Sequence, residues 1–116
     1  MTLQPGTVTD AATLPIPLEP LPVAQLVAGS PRAGFIELTA AIGGVEIGVW
    51  EHTPGTSTDV ETDEVFVVLS GTATVSFEEP GMDAIELRTG SVARLAAGMR
   101  TTWTVHETLR KVYIAG

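Results

Sequence analysis

The run Glu64-Val65-Phe66-Val67-Val68-Leu69-Ser70-Gly71 opens on a carboxylate, stays apolar for five residues and closes on a glycine. A strand that is apolar on both faces is expected to be covered on both, so this segment reads as a deep, central one. Side chains alternate along a strand, which places Glu64 on the same face as Phe66 and Val68. Outward from this run the alternation continues. Val45, Ile47 and Val49 interleave with Glu46, Gly48 and Trp50, and Ala73, Val75 and Phe77 with Thr72, Thr74 and Ser76, as in half-buried strands. Residues 85–88, 91–95, 101–105 and 110–114 read as further strands, with Glu79-Pro80-Gly81 and Thr89-Gly90 as turns. There is no long helix and no internal repeat, and this spacing of short strands belongs to an all-β sandwich or barrel.

Toward the N-terminus the pattern changes. Six of the eight prolines fall within the first 31 residues, where fixed φ angles and missing N–H groups oppose both helix and central strand. Residues 1–34 are therefore expected to form an extended Pro-rich arm and residues 35–116 a single barrel domain. The arm's Leu14, Ile16, Leu18, Leu21, Val23, Leu26 and Val27 need an apolar surface, on the same domain or on a neighbouring subunit, so a homodimer with exchanged arms is the expected assembly.

A length of 116 residues points to one core and argues against a two-domain enzyme. Fourteen acidic residues against six basic ones leave a net charge of −8, which repels phosphate backbones and anionic lipid surfaces, so neither nucleic acid nor membrane is an expected partner. The absence of cysteine excludes disulfides, thiolate nucleophiles and thiolate zinc sites, and fits a reducing cytoplasm. No apolar run approaches the ~20 residues needed to span a bilayer, and the N-terminus lacks a signal-peptide pattern.

Two spaced segments resemble the paired motifs of the cupin superfamily. The first motif usually gives a glycine, an HxH pair, a glutamate and, after six more residues, a glycine. Glu64 and Gly71 fit its second half, and the histidine positions fall near Ser57 and Asp59. The second usually reads G-x5-PxG-x2-H. Gly90, Ala96-Ala97-Gly98 and Thr101 keep its spacing, with threonine where the histidine would stand. Closer resemblance is to the ureidoglycine-aminohydrolase-like cupins, which include the ethanolamine-utilisation cupin. It rests on Gly48-Val49-Trp50-Glu51, Pro54-Gly55, the run from Glu61 to Gly71, and the W-x-V-x-E-T-x-R-K-x-Y pattern from Trp103 to Tyr113. The resemblance implies a double-stranded β-helix, a jelly-roll barrel folded over an interior pocket. Of the four usual metal ligands only Glu64 is present, so no metal and no cofactor is expected.

In such barrels the motif glutamate points inward, and Phe66 and Val68 follow it. If Thr101 also points inward, then Trp103, Val105 and Glu107 do so in turn, and Lys111 and Tyr113 as well if no bulge intervenes. Glu64, Glu107 and Lys111 are thus the candidate catalytic residues, and Trp50, Phe66, Thr101, Trp103 and Tyr113 the candidate ligand-binding ones. A buried charge persists only when paired, so Lys111 is expected to meet Glu64 or Glu107. Paired ionisable groups among aromatic rings can move protons near neutral pH. The alternative is that the pair only fixes barrel register, with the tryptophans as plain core and Arg110 on a solvated face. His106 is expected at the surface, and the acidic run Asp59, Glu61, Asp63, Glu64 is expected to be solvated, since it lacks the spacing of a cation loop.

Three functions follow. The first is a pocket that binds or transforms a small polar molecule, a carboxylate-bearing one included, between Glu64 and Lys111. The second is a metal-dependent enzyme recruiting Asp59 or His52 beside Glu64. The third is a dimeric structural or regulatory module without catalysis. The fold does not decide among them.

Overall fold

The structure is a computed structural model and describes residues 2–38, 40 and 42–116. Among these residues nine strands form: β1 (Glu19–Pro20), β2 (Leu26–Ala28), β3 (Arg32–Glu37), β4 (Glu46–His52), β5 (Gly55–Val60), β6 (Glu64–Phe77), β7 (Ile85–Leu87), β8 (Val92–Leu95) and β9 (Arg100–Ala115). One turn of 3₁₀-helix, Val23–Gln25, is the only helical element among them, and no helix is long and apolar enough to cross a membrane.

The architecture is a curled sheet of jelly-roll type, hung on two long antiparallel strands, β6 and β9. On its other edge β9 pairs β5 through residues 100–105 and β4 through residues 109–115. Strand β3 extends the sheet from β4, with β1 beyond it, and β2 lies beside β5. Strands β7 and β8 line the far edge of β6. The segments expected as separate strands on either side of Gly71 are one strand, and so are those on either side of His106.

Between Val68 and Ala73 the β6–β9 register shifts repeatedly. Gly71 sits at this irregularity with φ +90°, a conformation that costs glycine little. A side chain there would run into the Thr108 carbonyl. The bulge reverses the phase of β6: Phe66 and Val68 point inward before it, Ala73 and Val75 after it. These four residues, with Leu87, Leu95, Trp103, Val105 and Leu109, form the core.

The outer face of β6 departs from expectation. Val65 is exposed, and Val67 and Leu69 are half-buried, because the barrel has one interior and this side of the strand is its surface. The N-terminal residues also join the sheet earlier than expected. Strand β3 begins at Arg32, and β1 and β2 pair within residues 19–28. Pro20 is accommodated because β1 is an edge strand, where a missing N–H costs no ladder bond.

Candidate functional site

Inside the barrel Lys111 stands on β9 with Trp50 of β4 opposite it on one side and Val68 of β6 on the other. Its Nζ lies 2.9 Å from Oε1 of Glu64, at the start of β6. The ammonium also sits 4.3 Å from the ring centre of Phe66, 4.6 Å from Trp50 and 4.8 Å from Trp103. Lys111 is only 5% exposed. Removing an ammonium from water is costly, and here a carboxylate and three aromatic faces compensate.

Trp50 and Trp103 are 5.5 Å apart between ring centres, and Phe66 and Trp103 5.8 Å, so the rings form a continuous wall. That wall bounds a cavity of about 670 Å³, within the usual range of small-molecule sites. Glu64, Trp50, Trp103, Lys111 and Tyr113 all line it. Phe66 lies behind Lys111 in the core, and Thr101, also buried, supports the wall through Trp103. Gly48 makes room for the Tyr113 ring, which fills the space a Cβ would take. The Tyr113 hydroxyl donates to Glu46 Oε1 at 3.4 Å, and burial, reinforced by the Glu46 charge, pushes its pKa well above the usual phenol value.

Glu107 does not belong to this group. Its side chain is exposed outside the cavity, where it accepts a hydrogen bond from Thr72 Oγ1 at 3.3 Å. The alternation that held for Thr101, Trp103 and Val105 breaks at the β6–β9 register shift, then resumes at Leu109, Lys111 and Tyr113. Arg110 is also not where it was expected. It is buried, with Nε 2.9 Å from Glu51 Oε1 and Nη1 donating to the carbonyls of Ala11 and Leu14 at 2.9 and 2.7 Å. The N-terminal residues cover it, and further along the same segment Pro17, Glu19, Leu21 and Gln25 line the cavity. His106 is exposed, as expected.

Two buried polar residues were not foreseen. Glu61, from the run expected to be solvated, is 7% exposed. Its Oε2 accepts hydrogen bonds from Thr101 Oγ1 at 2.5 Å and from the Trp103 indole at 3.0 Å. A buried indole N–H needs an acceptor, and Glu61 provides it. His52, 1% exposed, has Nδ1 2.6 Å from the Thr53 carbonyl and Nε2 2.9 Å from Ser57 Oγ. A carbonyl only accepts, so Nδ1 carries the proton and neutral Nε2 accepts from the serine hydroxyl. Burial holds the His52 pKa below its ordinary value, and the Lys111 charge adds to this against the opposing Thr53 hydrogen bond. Asp59 opens on solvent, yet desolvation of its carboxyl, with the Glu61 charge behind it, raises its pKa.

Ser57 and Asp59 pair with Trp103 and Thr101 across β5 and β9, so three of the four ligand positions of a metal-binding cupin, Ser57, Asp59 and Glu64, line the cavity, and the fourth, Thr101, is buried behind Trp103. Their chemistry does not fit a metal. The Ser57 hydroxyl is engaged by His52, the Thr101 hydroxyl by Glu61, and the Glu64 carboxylate by the Lys111 ammonium, which stands where a metal ion bound to it would sit. Among the described residues no group of three or more His, Asp or Glu is placed to hold a metal ion.

A family model described as EutQ-like cupin domain matches residues 39–113. No curated protein sequence matches the chain. Among solved structures, the fold is similar to that of a putative ethanolamine utilization protein from Salmonella typhimurium, at 18% identity and a TM-score of 0.62 over 72% of this chain and 68% of that one. The EutQ protein of Clostridium difficile is similar at 17% identity and 0.63, over 84% and 79%. A Pseudomonas syringae protein of unknown function reaches 0.75 at 20% identity, over 90% of this chain and 46% of that one. At these identities the likeness is one of fold.

Proposed function

This chain belongs to the EutQ-like cupin domain family, and from that premise we propose that its interior cavity binds or transforms a small polar molecule without a histidine-held metal. The observation that carries the reading is the Glu64–Lys111 ion pair inside the aromatic wall. An apolar pair would pack the same space without desolvating two charges, so the pair is better explained by chemistry than by stability. Lys111 supplies a fixed positive charge, Glu64 a carboxylate able to accept or release a proton, and Trp50, Trp103 and Tyr113 the faces against which a ligand is held. Glu107, outside the cavity, has no part in this.

The test is a screen of small polar compounds by NMR, following the indole N–H signals of the two tryptophans. A saturable shift in the native protein that disappears in the Glu64→Gln/Lys111→Met double variant is expected. A compound that binds both proteins equally, or a screen with no saturable shift, overturns the reading. A second reading, a homodimeric module, is favoured by exposed Val65, Val92 and Ile114 on the barrel's outer side. Light scattering at low concentration decides it, a monomer being the outcome against it.

A further inference from the structure

Glu61 is more than nine-tenths buried, and no cation lies within ion-pair reach of it among the described residues. Oε2 takes both of its side-chain hydrogen bonds, from Thr101 and Trp103. Oε1 takes none, although the residue lines the cavity. A buried carboxylate that is oriented by two neutral donors and left without a counter-charge is unusual, because neutral donors alone must offset its desolvation.

The rest of the lining has the same sign. Glu19, Glu46, Asp59, Glu61 and Glu64 face the cavity against one ammonium, that of Lys111, which Glu64 already engages. Asp59 lies within electrostatic reach of Glu61, whose charge disfavours ionisation of the Asp59 carboxyl. The indole of Trp103 contacts both Glu61 and Lys111. Its N–H edge donates to Glu61, and its face stands 4.8 Å from the Lys111 ammonium. The same walls therefore already hold one ammonium ion, through a carboxylate and aromatic faces.

We propose that the ligand of this cavity is a small organic cation, carrying a primary ammonium or guanidinium group, bound by Glu61 and Asp59 beside the Trp103 indole. The assignment rests on the cavity being a ligand site, as read above, and adds the chemical class. An N–H-bearing cation can donate to Glu61 Oε1 and to the Asp59 carboxylate together, and it relieves the repulsion between them. A hard divalent ion would need about six to eight oxygen ligands, more than these two carboxylates supply.

The experiment is calorimetric titration of the full chain at constant ionic strength with agmatine, putrescine, neutral 1,4-butanediol, succinate and magnesium chloride, with the indole N–H signals read in parallel and assigned through Trp50→Phe. Saturable binding of agmatine or putrescine is expected, with a shift of the Trp103 signal and at least tenfold weaker affinity in both Glu61→Gln and Asp59→Asn. Asp59 is exposed, so Asp59→Asn reports even where Glu61→Gln fails to fold. Butanediol or succinate shifting the tryptophans in place of the amines overturns the cation and leaves the cavity reading standing. Magnesium binding with silent amines overturns it in favour of a metal. Amine affinity unchanged in both variants overturns the placement at Glu61 and Asp59. Silence across the whole panel overturns the cation together with the reading beneath it.

Discussion

Glu64 and Lys111 meet at 2.9 Å although 46 positions separate them in sequence, and each leaves the other little contact with water. Removing one partner of such a pair strands the other. Glu64→Gln is expected to cost roughly 3–5 kcal/mol, and the double variant less than the two single changes summed. Urea unfolding of the four proteins measures the coupling. Additive losses would show that the two charges do not support each other.

Arg110 ties the N-terminal residues to the barrel through the Ala11 and Leu14 carbonyls, while Glu51 neutralises it. Arg110→Met is expected to free this segment, making its amide exchange at residues 11–14 at least tenfold faster, and to leave Glu51 half-buried and unpaired at a cost of up to about 3 kcal/mol. Because Pro17, Glu19, Leu21 and Gln25 line the cavity, ligand binding should weaken with it. Unchanged exchange would show that the segment is held by other contacts.

Gly48→Ala places a methyl group where the Tyr113 ring lies. Overpacking of this kind costs about 1–3 kcal/mol, and the ring can yield only by leaving Glu46 or narrowing the cavity. Thermal unfolding checks the first effect and ligand titration the second. Wild-type values in both would mean that the ring moves freely.

Acid should act on the fold through His52. Its folded pKa is depressed from 6.5, so between that value and the lower folded one the unfolded chain binds the proton and the folded chain does not. Stability should therefore fall as pH drops below about 6.5. Asp59 works in the opposite sense. Its pKa is raised, so the folded state holds the extra proton above the ordinary carboxylate range and gains as pH falls through that window. Following unfolding from pH 8 to 5 in the native protein, His52→Asn and Asp59→Asn separates the two. The acid-side loss should shrink in His52→Asn, and Asp59→Asn should be the more stable protein at pH 7.

Much of this site was legible in period-two alternation. The phase of Glu64, Phe66 and Val68 survives on a regular stretch of β6, and that of Thr101, Trp103, Lys111 and Tyr113 survives because the irregular stretch of β9 between Val105 and Leu109 leaves the same phase on either side of it. Glu107 was misplaced because it lies within a register shift, where alternation does not hold, and the shift depends on how two distant strands fit together. Glu61 was missed for another reason. Its neighbours Thr62 and Asp63 are exposed, and only the Trp103 indole, brought near by the barrel's closure, distinguishes it from a solvated acid. The burial of Arg110 likewise depends on where the N-terminal residues run, which no local pattern encodes.

The phase reversal at Gly71 also separates two kinds of duty within one strand. Upstream of it, a substitution at Glu64 would alter the cavity lining and, on the reading proposed above, what the cavity recognises; downstream, substitutions at Ala73 or Val75 would alter only how the barrel coheres. A lineage of such barrels can therefore drift in ligand preference through the first half of this strand while the second half is kept under a different selection, and deleting the single residue between them would restore plain alternation, turning Ser70 toward the interior while Ala73 and Val75 keep their inward phase.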